Sequence, residues 1–272
     1  MKNNYKTPSI RILTLLLLFA GSFSVFSTNW QDPILETAIA TDKFEPIARD
    51  STNKLIVIRD EFAPKVQKAW EKADALVGWL AHDGQGGWLY LQEKPVNIAS
   101  LPVFLLQKFK PGVIIKLPKP SVPFAIGLGS SGITNQGIKE LVGLENLQAL
   151  DLSHTKVTDS GLRELAALEQ LRILDLGATV ITDAGLKELT AIKGLQKLYF
   201  GSTAVSNQGL KHLGGINDLR SLYLYNTKIT DAGLKELVNL KYLQTLILSS
   251  TDVTDFGVSE LIRVLPNLRV LR

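Results

Sequence analysis

Three groups of residues in this 272-residue chain have the types and spacing to do chemistry. Gly127, Gly129 and Gly132 form a GxGxxG, with Asp151 nineteen residues beyond the last glycine. Such a loop can hold a pyrophosphate on backbone amides while the acid binds a ribose hydroxyl. Asp151, Ser153 and His154 supply the residue types of an acyl-transfer relay, and His82, His154 and His212 are the imidazoles available to a metal.

None of the three assembles on inspection. The glycines occupy the places that Asp151, Ser153 and Lys156 take in the next copy of an internal repeat, which accounts for the strand and helix around them without a nucleotide. One strand cannot fold a serine and its neighbouring histidine into a relay with a third group on the same segment. No ligand spacing links the three histidines, and His212 stands where other copies carry Glu164, Glu188 and Glu236. The chain is expected to be non-enzymatic, with no cofactor and no metal.

The elements around these residues follow from the repeat. Leu147, Leu171, Leu195, Leu219 and Leu243 are 24 residues apart, and each opens an LxxLxL stretch: LQALDL, LRILDL, LQKLYF, LRSLYL, LQTLIL. Each is followed by a second signature (VTDSGLREL, ITDAGLKEL, VSNQGLKHL, ITDAGLKEL, VTDFGVSEL), after a first, degenerate copy at Ile133, and a seventh strand starts at Leu268. The alternation in LxxLxL is that of a strand with one buried face. Asp159, Asp183, Asn207, Asp231 and Asp255 place a helix-capping side chain before apolar residues at helical spacing. Neither element can bury its apolar face alone, so the fold class is α/β: a solenoid with a curved parallel sheet inside and helices outside. Glycine at 137, 161, 185, 209, 233 and 257 implies close approach of neighbouring helices. Thr155, Thr179, Thr203, Thr227 and Thr251 can satisfy the backbone as each strand ends.

These repeats, from Pro123 to Arg272, resemble the leucine-rich-repeat family. The TDxGLxxL half is similar to the cysteine-containing subtype found in F-box substrate receptors and many bacterial proteins, with Thr where that subtype often has Cys or Asn. The resemblance implies protein or peptide binding on the concave sheet, usually without catalysis. A substrate-receptor role is disfavoured, because no F-box-like helical segment precedes the array and a leader does.

That leader is Met1–Arg11, with three positive charges and no acid, followed by the apolar run Ile12–Ala20. The pattern is that of a secretory signal, read as residues 1–27. It directs the folded part to an exported address: secreted, periplasmic or cell-surface. Membrane attachment is expected only if that segment stays uncleaved. Residues 28–53 read as a linker and 54–122 as a small α+β cap shielding the first repeat. Within the cap the sequence predicts a helix of about twenty residues from Asp60 or Pro64 through Leu80. It also predicts strands at Trp88–Leu91 and Val113–Leu117, a short helix over Ser100–Phe109, and a core filled by Trp70, Trp79 and Trp88. The array itself, from Ala125 onward, carries 15 basic and 15 acidic residues, which argues against a nucleic-acid partner.

Along each strand the third, fifth and seventh places face the hollow. The fifth reads Gly127, Asp151, Asp175, Tyr199, Tyr223, Ile247, and the seventh reads Gly129, Ser153, Gly177, Gly201, Tyr225, Ser249. Asp151, Asp175, Lys197, Tyr199, Tyr223, Tyr225 and Ile247 are therefore the candidate ligand-binding residues, the tyrosines as an exposed patch. The strand at Leu268–Arg272 has no polar capping unit after it, and the second expectation is a homo-oligomeric, self-associating envelope component.

Overall fold

The computed structural model describes residues 62–82, 88–95 and 100–272. All of them belong to one compact unit. The leader, the linker, the Gly84–Gly87 turn and the side chains of His82 and Trp88 lie outside the described residues.

Among the described residues ten strands form one sheet. In chain order they are β1 (Leu76–His82), β2 (Trp88–Leu91), β3 (Ser100–Leu105), β4 (Phe124–Gly127), β5 (Leu147–Asp151), β6 (Ile173–Asp175), β7 (Lys197–Tyr199), β8 (Ser221–Tyr223), β9 (Thr245–Ile247) and β10 (Arg269–Leu271). The spatial order is β10-β9-β8-β7-β6-β5-β4-β3-β1-β2. From β3 to β10 every pairing is parallel, while β1 runs antiparallel to both β2 and β3. The repeat thus sets a register of one strand per 24 residues, and the amino-terminal strands extend the same sheet.

Residues at the first, fourth and sixth places of each LxxLxL, all leucine but Phe200, point to the helix side. Leu171, Leu174 and Leu176 join Leu162, Leu165, Leu186 and Leu189 in one continuous core that reaches back to Trp70 and Phe104. Phe104 anchors the amino-terminal end: Trp70 stacks on it at 4.1 Å and Phe62 at 3.9 Å between ring centroids.

The helices are short, and their joints explain the repeated glycine. Each begins after a Thr or Ser N-cap (Thr158, Thr182, Ser206, Thr230, Thr254), so the Asp or Asn that follows is the first helical residue and not the cap. Its side chain is engaged elsewhere, on the next repeat. Asp183 Oδ1 accepts from the Ser206 amide at 2.7 Å and Asp183 Oδ2 from the Ser206 hydroxyl at 2.6 Å. Asp159 on Thr182 and Asp231 on Thr254 do the same. Asn135 and Asn207 accept from the Thr158 and Thr230 amides and donate to the hydroxyls, which serve equally as acceptors. The carboxylate or amide lies directly over the glycine of the following helix, where a methyl group would collide with it: Asn135 over Gly161, Asp159 over Gly185, Asp183 over Gly209, Asn207 over Gly233, Asp231 over Gly257. The close approach inferred from the glycines is therefore to a side chain of the preceding repeat and not to its helix backbone. Gly137, with no repeat before it, receives the Phe109 ring instead.

The strand exits are equally regular. Thr155, Thr179, Thr203, Thr227 and Thr251 each donate their hydroxyl to the carbonyl three residues back at 2.6–2.7 Å. One place earlier the chain turns through a left-handed residue in every copy: Ser130, His154, Ala178, Ser202, Asn226 and Ser250, with φ between 51° and 58°. Asn226 and His154 are of types enriched in this region, whereas Ala178 is not. Ala178→Gly is accordingly expected to stabilise the fold by about 0.5–1 kcal/mol, the relief of the Cβ clash less the added freedom of the unfolded chain. Urea unfolding of the two proteins measures the difference.

Three expectations for the amino-terminal segment are corrected. The helix ends at Lys72, because Asp74 adopts φ 67 and the chain re-enters as β1. Ser100–Leu105 is a strand and not a helix: it pairs with β1 on one side and β4 on the other. Around Val113–Leu117 there is a 3-10 turn at Ile114–Lys116, entered through Gly112 at φ 75, with the Gly112 amide donating to Glu140 at 2.6 Å. Trp88–Leu91 is a strand, and Trp70 and Trp79 are buried.

Candidate functional site

The face of the sheet away from the helices carries a second cluster. Val103, Ala125, Ala149, Ile173, Tyr199 and Tyr223 are its buried members, with Tyr225, Ile247, Leu105, Leu101, Leu80 and Tyr90 packed against them. All lie on strands except Tyr225, two residues past the end of β8.

Parallel register brings the fifth-place residues into one row. Asp151 pairs with Asp175, Asp175 with Tyr199, Tyr199 with Tyr223 and Tyr223 with Ile247. Neighbouring members are thus about 4.8 Å apart along the row. The two tyrosine rings stack at 4.0 Å with 11° between their planes. Lys197 lies one row over, between Ile173 and Ser221.

The seventh place supplies the space for the row. Gly201 carries the Tyr225 ring, which occupies the volume any side chain there would need. At Gly177 a Cβ would meet Asp175 Oδ1 at 3.1 Å and the Tyr225 hydroxyl at 3.6 Å. Gly129 leaves room for Asp151 Oδ2 and Ser153 Oγ, at 2.7 and 2.9 Å from where its Cβ would be. These glycines were visible in the sequence as small residues in the seventh column. Their role as seats for an aromatic ring and two carboxylates needed the register.

Each aspartate turns back on its own strand. Ser153 donates its amide to Asp151 Oδ1 and Gly177 to Asp175 Oδ1, both at 2.8 Å. Burial raises the Asp151 carboxyl above its ordinary range, against the opposing bonds from Ser153. Asp175 is pushed up to about 8, first by burial and then by the negative charge of Asp151, with the Gly177 amide pulling the other way. Adjacent desolvated carboxylates cannot both ionise cheaply, so near neutral pH the pair holds a proton. Tyr225 is raised by burial and by Asp175.

The seven candidate residues thus share one face, and the early acids and late tyrosines fall in adjoining rows of it. One expectation changes. Tyr199 and Tyr223 are not exposed: they retain 6% and 5% of their surface, and Lys197 retains 5%. Each tyrosine stacks on the other and packs into the apolar cluster, leaving Asp151, Asp175, Tyr225 and Ile247 as the more accessible members of the seven. His154, at φ 53 just past β5, lies near enough for its charge to act on Asp151. Among the described residues no group of three or more His, Cys, Asp or Glu is placed to hold a metal. Gly127 packs on Leu105, and Gly132 turns the chain at φ 80, so both have structural roles.

A parallel sheet with helices on one side and a row of acids and aromatics on the other defines a strand-and-helix solenoid with a patterned second face. Residues 143–166 match the leucine-rich-repeat family, and the array is built of leucine-rich repeats. Three solved structures are similar in part. An internalin of Listeria monocytogenes, inlF, aligns at 26% identity over 54% of this chain and 40% of its own, with a TM-score of 0.45. Internalin C2 of the same species aligns at 25% identity over 59% and 65%, with a TM-score of 0.48. A leucine-rich-repeat protein of Leptospira interrogans aligns at 23% identity over 54% and 42%, with a TM-score of 0.40. This chain spans less than two thirds of each of those chains. A search of curated proteins returns no match.

Proposed function

We propose that the protein is a non-enzymatic binding module that holds a protein or peptide on the helix-free face of its repeat sheet. The observation that carries the reading is the unbroken row Asp151, Asp175, Tyr199, Tyr223, Ile247. Its part-exposed members Asp151, Asp175 and Ile247, with Tyr225 beside them, combine ring and apolar area of low conformational cost with acids that fix orientation, as protein-binding surfaces do. The leucine-rich-repeat match supports the same reading. The basic leader and apolar run at residues 1–27 support an exported address, where the partner would be a surface or envelope protein.

The test uses positions that perturb the face without emptying the stack. Tyr225 and Ile247 are part-buried at its edge, so the Tyr225→Ala, Ile247→Ala variant is expected to keep the parent's circular dichroism. A partner retained by the parent from envelope extracts should bind this variant at least about tenfold more weakly, in line with the loss of one or two interface anchors. Lys187→Ala, on the helix side, should bind it as the parent does. Equal binding by all three proteins would remove the face from the reading.

A further inference from the structure

The acid end of the row has a chemistry that the aromatic end lacks. Asp151 and Asp175 face each other across the β5–β6 pairing, with the apolar side chains of Ala149 and Ile173 beside them in the third-place row. Each accepts a backbone amide from its own strand exit, and no lysine or arginine among the described residues forms an ion pair with either. The positive charge that does act on Asp151 is that of His154, just past β5. With a proton held between the two acids near neutral pH, the pair presents a single negative charge, in desolvated surroundings that strengthen its pull on a cation. Beside the pair, Tyr225 lies over Gly201, with its hydroxyl 3.6 Å from where a Gly177 Cβ would be. The ring therefore forms a wall next to Asp175, and Asp151, Asp175 and Tyr225 are all part-exposed.

We propose that Asp151 and Asp175, walled by Tyr225, receive one arginine side chain of a partner polypeptide. This rests on the binding reading above and names what the partner must carry. Charge sets the sign: an acid pair with one net negative charge is complemented by one cation. Geometry selects arginine over lysine. Residues at the same place on adjacent parallel strands are about 4.8 Å apart. A planar guanidinium, with five donors in a fixed fork, bridges two carboxylates at such a spacing, whereas an ammonium is a compact point charge. The wall adds to the preference, because a guanidinium stacks on an aromatic ring and its alkyl stem packs against it. The two amide bonds from Ser153 and Gly177 hold the carboxylates in place before the partner arrives, which lowers the cost of ordering them.

A random peptide library displayed on phage and panned on the full-length protein tests this without knowledge of the partner. Arginine at one position of the selected peptides should be enriched at least about fivefold over the unselected library, and more than lysine. A synthetic peptide of the selected sequence should bind the Asp151→Asn, Asp175→Asn variant at least about tenfold more weakly than the parent. Asparagine keeps the acceptor for each amide, so the variant is expected to retain the parent's circular dichroism. The same peptide with citrulline, the neutral isostere, in place of arginine should bind the parent more weakly by a similar factor, and this arm leaves the protein untouched. Selected peptides without arginine, equal binding of the citrulline peptide, equal binding by the asparagine variant, or no peptide selected by the parent would each overturn the proposal. Apolar peptides that the parent selects and the Tyr225→Ala, Ile247→Ala variant loses would refute the arginine while leaving the binding face standing, so the two readings fail separately.

Discussion

The Asp175→Asn variant is expected to unfold at higher temperature than the parent at pH 8, with the gap closing as the pH falls towards 4. In the unfolded chain Asp175 titrates near 4, as an ordinary aspartate does. In the folded chain it titrates at about 8, because the site is desolvated and faces Asp151 across the β5–β6 pairing. Between those values the folded state holds a proton that the unfolded state has released. The contribution of Asp175 to stability is therefore complete below about pH 4 and is lost as pH rises through about 8. Asparagine keeps the acceptor for the Gly177 amide and removes the titration. The full displacement would correspond to roughly 5–6 kcal/mol, and with some solvent reaching the carboxylate the gain at pH 8 should be on the order of 2–3 kcal/mol. Thermal or urea unfolding of both proteins from pH 4 to pH 9 decides it. Parallel stability curves would show that Asp175 ionises freely.

Gly209→Ala should be among the most damaging small substitutions in the array. The new methyl would enter the space of Asp183 Oδ1 and stand 3.1 Å from Leu186 Cδ2, so the carboxylate must leave. Its departure frees the Ser206 amide and hydroxyl that it joins across the repeat boundary. Overpacking costs about 1–3 kcal/mol and each lost charge-assisted bond about 1.5–3 kcal/mol, partly recovered by water, so a net loss of about 3–4 kcal/mol is expected. Alanine's higher helix propensity, up to about 1 kcal/mol, works against this figure without reversing it. The mechanism makes a sharper demand. In an Asp183→Ala background the oxygen is already absent, and Gly209→Ala should then cost little. A double-mutant cycle by urea unfolding should return a coupling of at least about 2 kcal/mol. Additive costs would show that the glycine serves a different contact.

The array was readable from sequence because its period forces one strand and one helix into each 24-residue unit. Columns of like residues then show which face each place takes. The alternation within the strand alone assigns Ile173, Lys197 and Ser221 in the third column, and Asp175, Tyr199 and Tyr223 in the fifth, to the face away from the helices. Residues 64–109 have no such columns. Leu76, Val77 and Leu80 continue the helical spacing of Val66, Ala69 and Trp70, and nothing in the pattern separates them. The break is a left-handed Asp74, a residue type that tolerates that conformation without announcing it. Pro102 is of a type rarely found inside an internal strand, yet it pairs opposite Trp79 within the sheet. In the site, position was readable and accessibility was not. Whether Tyr199 faces solvent depends on what lies across the sheet, which no periodicity within the repeat encodes. The Asp183-type side chains read as caps in the sequence because the same residues serve both tasks, and only the spatial neighbour, twenty-three positions on, distinguishes them.

The joint between repeats has a further consequence for how such a chain can change length. Each internal unit contributes one Asp or Asn forward and receives one at its Thr or Ser amide and its glycine, so the five boundaries from Asn135 to Thr254 share one plug and socket. Duplicating or excising a whole 24-residue unit leaves each remaining plug facing a matching socket. A deletion of any other length mismatches two at once. The number of strands that carry the acid-and-aromatic row can therefore grow or shrink in whole steps, with no compensating substitution elsewhere.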